Sequence, residues 1–338
     1  MLRRSIAALA FACSTAGFVP AALGQGAADP SAEARDVRAW LTRMHEAAGR
    51  VNFHGTFVVS AGGMLASNRV VHYCEGKNQF ERLEALDGQP RRVLRHNDMV
   101  QTMWPASRVV SVEQRDVLSS FPALLQRADG AFAEHYVLRV LGDDRVAGYD
   151  AQVVLVKPRD AHRLGYRLWA EKNSSLLLRA EVLGPRDEVL ESVAFSELAI
   201  GVKPQPETVL QAMKRLDGWR VIRPSVTRTR LDAEGWSLRA PVPGFREISV
   251  VKRATEPADE GHGASPPMLQ SVWSDGLTYV SVFIEPYQAD RHGRPIHTAL
   301  GATQTLMRRQ GDWWVTVMGE VPAPTLKLFA QALERLPR

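Results

Sequence analysis

Gly165-Tyr166-Arg167-Leu168-Trp169-Ala170-Glu171, Lys172-Asn173-Ser174-Ser175, Leu176 to Leu183, Gly184-Pro185-Arg186-Asp187 and Glu188 to Phe195 follow one another without a gap, and their reading decides the fold. Tyr166, Leu168 and Ala170 alternate with Arg167, Trp169 and Glu171, the period of two that sends side chains to opposite faces of a strand. Lys172 to Ser175 is rich in residues that close a turn with their own side chains. Leu178, Ala180 and Val182 then alternate with Leu177, Arg179 and Glu181, and after the Gly184-Pro185 break a third strand runs to Phe195. Strands joined by such short turns pair antiparallel, because parallel pairing needs a long crossover.

Outward from this meander the same texture continues. Phe53, Gly55, Phe57 and Val59 alternate with His54, Thr56 and Val58; Gly62-Gly63 turns the chain. Arg69 to Glu75, Gln79 to Leu86, Arg91 to His96, Met99 to Trp104, Tyr136 to Leu141 and Arg145 to Lys157 read as further strands between Gly, Asn, Asp and Pro. Two helices accompany them. One starts at Asp29-Pro30 and carries Val37, Trp40, Leu41, Met44 and Ala48 on one stripe; the other is short, Phe121 to Ala128. The expected domain, residues 30–200, is one large twisted antiparallel sheet, an open half-barrel holding its helices on the concave face.

A chain of 338 residues is long for one domain. Residues 201–218 read as a linker with a short helix at Glu207 to Arg215, and 219–338 as a smaller α+β domain, which makes the whole chain α+β. Its signals are a hairpin about Asp275-Gly276, another about Gln310-Gly311, and a closing helix from Pro324 with Leu326, Phe329, Ala330 and Leu333 on one face. Thr255 to Pro267, rich in Gly, Pro and acid, reads as a mobile loop.

The first 24 residues read as a secretory signal peptide rather than as structure. Arg3-Arg4, the apolar run Ile6 to Val19 and Ala22-Leu23-Gly24 have the order of such a leader, and the run is short for a bilayer span. Cleavage leaves Cys74 as the sole cysteine, so an exported chain of this kind has no internal disulfide. With 42 Lys and Arg interspersed among 37 Asp and Glu, no basic face calls for nucleic acid.

Catalytic patterns are missing. No nucleophile elbow, phosphate-binding glycine loop or dinucleotide fingerprint occurs. His45-Glu46 lacks the second histidine of a metalloprotease helix, and Asp160-x-His162 and Cys74 have no accompanying motif. The expectation is no catalytic residue, no metal and no cofactor. The apolar face of the half-barrel is the candidate ligand site, with Phe57, Val59, Leu168, Leu178 and Ala180 as its lining by alternation. Trp273, Trp313 and Trp314 lie on strands of the smaller domain. Trp313-Trp314 are consecutive, so one faces away from its partner and is a candidate interface anchor.

Five segments also resemble a known family. Gly55-Thr56-Phe57-Val58, Arg145-Val146-Ala147-Gly148, Pro158-Arg159-Asp160-Ala161-His162-Arg163-Leu164-Gly165-Tyr166, Ser274-Asp275-Gly276-Leu277 with Ser281 to Glu285, and Thr316 to Pro322 are similar, in order, to the RseB/MucB family. The resemblance implies a periplasmic negative regulator of the sigma-E (AlgU-type) envelope stress response. Such a protein binds the periplasmic domain of an RseA/MucA-type anti-sigma factor and protects it from proteolysis. It also implies a large domain like LolA and LolB, and release on sensing lipopolysaccharide or the acyl chains of misplaced lipoprotein. Two features depart from the family: Pro241-Val242-Pro243-Gly244-Phe245 stands where Pro-Pro-Gly-Phe is usual, and Trp219 to Ala240 has no counterpart in the recognised pattern. A periplasmic lipid or lipoprotein carrier is the alternative, an exported hydrolase a distant third, and the oligomeric state stays open.

Overall fold

The structure, a computed structural model, describes residues 30–114, 132–239, 241–254 and 267–337. The leader (1–24), the short helix expected at Phe121 to Ala128 and nearly all of the loop expected at Thr255 to Pro267 lie outside the described residues.

Helix α1 (Pro30–Arg50) precedes β1 (Phe53–Ala61), β2 (Met64–Glu75), β3 (Asn78–Ala85), β4 (Arg92–His96), β5 (Met99–Trp104) and β6 (Val109–Gln114). One turn of helix, α2 (Phe132–His135), leads into β7 (Tyr136–Val146), β8 (Tyr149–Pro158), β9 (Gly165–Glu171), β10 (Leu177–Leu183) and β11 (Val189–Ile200). After α3 (Pro206–Lys214), β12 (Arg220–Ile222) completes a 12-stranded sheet in the order β12-β6-β5-β4-β3-β2-β1-β11-β10-β9-β8-β7. All neighbours are antiparallel except β12, which pairs parallel with β6. The sheet curls: the Ile200 N–H at the end of β11 donates to the Tyr149 hydroxyl at the start of β8, three strands away (3.2 Å). This is the half-barrel that the alternation suggested.

Two local devices depart from simple alternation. The run read as one strand from Arg145 to Lys157 contains a hairpin corner, with Ala147 at φ +49° and Gly148 at +86°, the left-handed pair that a two-residue turn needs. In β10, Leu177 pairs with Ala170 and Arg179 with Trp169, so Leu178 is the extra residue of a β-bulge. As a result Leu177, not Leu178, joins Ala180 and Val182 in one core cluster, while Leu178 packs with Phe57, Trp169 and Phe195 in another.

The second sheet has seven strands, β13-β15-β16-β17-β20-β19-β18. These are β13 (Ser225–Arg228), β15 (Arg246–Ala254), β16 (Met268–Ser274), β17 (Tyr279–Pro286), β18 (Ile296–Leu300), β19 (Thr303–Gln310) and β20 (Trp313–Gly319). Helix α4 (Ala323–Ala332) lays Leu326, Phe329 and Ala330 on it, and β14 (Trp236–Leu238) pairs with β21 (Leu333–Arg335) beside them. Both hairpins signalled by Asp275-Gly276 and Gln310-Gly311 are present. Segment 219–240 thus gives a strand to each sheet and a third to the small ribbon. Because β12 belongs to the large sheet, that sheet reaches residue 222, beyond the boundary drawn from sequence.

Candidate functional site

Two of the segments that carry the family resemblance come together in space, with the stretch Pro243 to Phe245 beside them. The loop 159–164 after β8, the turn 275–278 between β16 and β17, and Pro243 to Phe245 meet at the seam between the two sheets. At its centre is Arg163, whose side chain is wholly buried against the equally buried carboxylate of Asp275 (Nε to Oδ2, 2.7 Å). The Tyr136 hydroxyl donates to the same Oδ2 at 2.8 Å, and Oδ1 accepts the backbone N–H groups of Leu277 and Thr278, each at 3.0 Å. Every lone-pair direction of the carboxylate is therefore answered. The guanidinium also reaches the Asp160 carboxylate and the Pro243 carbonyl, and lies 5.2 Å from the ring centre of Phe245. A buried ion pair is tolerable only when both ions find such additional bonds. Burial first, and the neighbouring Asp275 charge second, push the Tyr136 hydroxyl well above the usual phenol range, so it stays a donor.

Apolar and backbone contacts extend the seam on either side. Leu277 and Ala302 of the smaller domain are members of the core cluster that holds Leu41, Met44, Tyr166 and Leu168 of the larger one. The Thr325 hydroxyl, in the first turn of α4, donates to the His162 carbonyl (3.0 Å). Gly301, at φ +57°, brings the β18–β19 turn so close to the β1–β2 hairpin that a Cβ there would lie 2.8 Å from that of Ala61.

The predicted lining residues divide. By register, Ala66, Val59, Val193, Ala180, Leu168 and Val154 form one continuous row across six strands, so Val59, Leu168 and Ala180 share a face, and Phe57 joins it two residues from Val59. Leu178 is taken out of the alternation by its bulge. Phe57, Leu168, Leu178 and Ala180 are all buried in packed clusters, and only Val59 is half-buried. The aromatic candidates divide too. Trp273 is buried against Phe329, and Trp314 lies under His292 (ring centres 5.1 Å apart) and Tyr287. Trp313 is half-buried, edge-on to Trp236 and beneath Arg335. The alternation correctly separated the two consecutive tryptophans, but the face opposite the core is covered by a ring stack of its own.

Sequence reading missed Arg163, Asp275 and Tyr136 as partners. Both charged residues lie in loops, where a charge is ordinarily solvated, and nothing local announces a contact 112 residues away.

Two family descriptions cover the chain in succession: the MucB/RseB N-terminal domain matches residues 36–213, and the MucB/RseB C-terminal domain matches residues 230–334. The chain belongs to the MucB/RseB family. The sigma factor AlgU regulatory protein MucB of Pseudomonas aeruginosa is 31% identical over 325 residues, covering 92% of this chain and 95% of that protein. The sigma-E factor regulatory protein RseB of Escherichia coli is 22% identical over 296 residues, covering 88% and 90%. Among solved structures, MucB in complex with MucA(peri) superposes with a TM-score of 0.65 at 27% identity, covering 89% of this chain and 99% of that one. MucB by itself gives 0.60 at 26% identity, covering 89% and 98%. The MucB/RseB match thus spans both sheets and the seam between them.

Proposed function

We propose that this protein is a periplasmic regulator that binds the periplasmic region of a membrane anti-sigma factor, shields it from proteolysis and so keeps an envelope-stress sigma factor inactive. The observation that carries this reading is the likeness along both domains to a MucB whose structure was solved with MucA(peri) bound. A carrier would need only the half-barrel; here a second domain is joined to it through a buried ion pair and a shared apolar cluster. Protection follows from simple physics. A protease requires an extended, accessible segment, and a disordered segment ordered against a folded surface ceases to offer one. The half-buried Trp313 and the edge strands β13 and β18 are the features of the smaller domain suited to grip such a segment.

Release by lipopolysaccharide or by lipoprotein acyl chains is the second half of the proposal. Phe57, Leu168, Leu178 and Ala180 are already packed, so an acyl chain has to part existing contacts, gaining about 0.8 kcal/mol per buried CH₂ to offset them. By linkage, an amphiphile that releases the segment must bind the free protein more tightly than the complex. The test uses the mature chain. Cleavage of the anti-sigma periplasmic segment by its processing protease should slow when the protein is added, and recover on addition of lipid A or an acylated peptide. Undiminished cleavage at saturating protein refutes the regulator; protection that no amphiphile relieves refutes the lipid signal alone.

A further inference from the structure

A second polar cluster lies at the end of α1. His72 and Cys74 are two residues apart on β2 and so share a face. The Cys74 sulfur is 3.2 Å from His72 Nε2, and His72 Nδ1 is 3.5 Å from the Glu81 carboxylate on β3. The imidazole is buried and stacked on Phe53, ring centres 5.1 Å apart, so packing fixes its place beside the sulfur. Burial opposes its protonation, but the bonds to Cys74 and to Glu81 outweigh it and raise His72 to about 9. The charged groups that face the sulfur and the imidazole are Glu81 and, from β4, Arg95; the α1 end and β1 present the Gly49 carbonyl, the Asn52 amide and Phe53, all neutral. Glu81 holds the ring nitrogen remote from the sulfur, so the three groups form a relay rather than a metal cradle. Cys74 is half-buried, next to the exposed turn Glu75 to Asn78, the side from which a small reagent can come.

We propose that Cys74, paired with His72 and oriented through Glu81, is a thiol-modification site that captures small disulfides as mixed disulfides and thereby frees the end of α1. A nucleophile beside an imidazole whose other nitrogen is held by a carboxylate is the arrangement that activates a thiol. At rest the thiol donates to the Gly49 carbonyl at 2.8 Å, in the last turn of α1, where carbonyls lack intrahelical donors. That bond favours the protonated sulfur. A thiol is a weak donor, however, whereas thiolate and imidazolium are opposite full charges 3.2 Å apart, so ionisation gains more at His72 than it forfeits at Gly49. The thiol releases its proton to solvent and the thiolate attacks one sulfur of the disulfide. A new S–S bond to Cys74 forms as the old one breaks, and the departing thiolate takes a proton from the medium; the disulfide is the oxidant, and half of it leaves as thiol. The modified sulfur has no hydrogen to give to Gly49, whose carbonyl then keeps the Gln79 amide at 3.3 Å. Helix α1 is the element whose Leu41 and Met44 pack with Leu277 and Ala302 of the smaller domain, so the thiol acts on a piece that both domains share. The periplasm, the compartment proposed above, is oxidising, and disulfides persist there.

The test uses the mature chain and glutathione disulfide, with the mixed disulfide followed by intact mass. At pH 7 Cys74 should react about tenfold faster than N-acetylcysteine, the gain expected beside a fixed imidazolium. His72→Gln should lose that advantage, and the two proteins should converge as the pH passes about 9, where wild-type His72 gives up its proton. A histidine that merely packs would not produce this convergence. In hydrogen exchange, the mixed disulfide should lower protection at Val51, whose N–H donates to the Ala47 carbonyl of α1 at 2.9 Å, while Val154 inside the large sheet keeps its own. Reduction should restore Val51. A wild-type rate no faster than that of N-acetylcysteine overturns the site, and so does a folded His72→Gln protein as fast as wild type at pH 7. Val51 protection unchanged by modification overturns the release of α1. Should His72→Gln fail to fold, Glu81→Gln decides: without the carboxylate its advantage over N-acetylcysteine must fade at a lower pH than in wild type, and coincident profiles overturn the relay.

Discussion

Replacing Arg163 by Met keeps the aliphatic stem beside Phe245 and Tyr136 but removes the charge. Three interactions go: Nε to Asp275 (2.7 Å), and the bonds to Asp160 and the Pro243 carbonyl. Asp275 is then left ionised and buried, held by Tyr136 and two backbone N–H groups. Removing one partner of a buried ion pair costs about 3–5 kcal/mol, most of it the uncompensated charge that remains. Asp275→Asn is a gentler change. The amide oxygen still accepts from Leu277 and Thr278, and Arg163 retains the Asp160 carboxylate as counter-charge, so the loss is expected at about 1–3 kcal/mol. Since both substitutions break the same bond, the double variant should cost less than the sum, by roughly 0.5–3 kcal/mol. Urea denaturation followed by tryptophan fluorescence measures all four corners of the cycle, with near- and far-ultraviolet dichroism to show whether the domains unfold together. The reasoning is refuted if Asp275→Asn is the more damaging change, or if the two losses simply add.

Leu168→Ala should destabilise by about 2–5 kcal/mol in the same assay, because the side chain is wholly buried under α1 and the seam. Gly301→Ala should cost about 1–3 kcal/mol through its positive φ and the contact with Ala61, and should loosen the Ala302 amide before any other; calorimetry and hydrogen exchange read the two effects. His72 is raised from 6.5 to about 9: burial opposes protonation, but bonds to Cys74 and to the Glu81 carboxylate outweigh it. Its contribution is fully present below pH 6.5 and lost as the pH rises to about 9, so His72→Gln should flatten the stability profile in that window. Cys74→Ser leaves a hydroxyl able to donate to the Gly49 carbonyl, and should stay within about 1 kcal/mol of wild type by denaturant midpoint.

Much of the large sheet was legible because its strands alternate cleanly and its turns are short. Gly62-Gly63, Lys172 to Ser175 and Gly184 to Asp187 all fall between strands where they were expected. What alternation cannot register is an inserted residue. The bulge at Leu178 moves that side chain from one cluster to another without any change in residue type. Short strands such as Arg220–Ile222 are invisible for a different reason: three residues carry no period, and only the partner β6, more than a hundred residues earlier, defines them. The family segments were recognised one by one. That Arg163 and Asp275 are bonded to each other is a property of the assembled fold, since each charge is stabilised by groups that are distant in the chain.

The passage from one sheet to the other occupies only Arg223 and Pro224, between the end of β12 and the start of β13. Each residue spans at most about 3.3–3.6 Å, so this strap cannot pay out much more than the length of a side chain. It is stiffened further by proline, whose ring fixes one of its torsions. Sliding the domains apart would therefore require peeling β12 from β6 or β13 from β15. Turning one domain on the other requires neither. The geometry favours swivelling over separation, and a label pair placed across the seam should report a change of angle while the ends of the strap keep their distance.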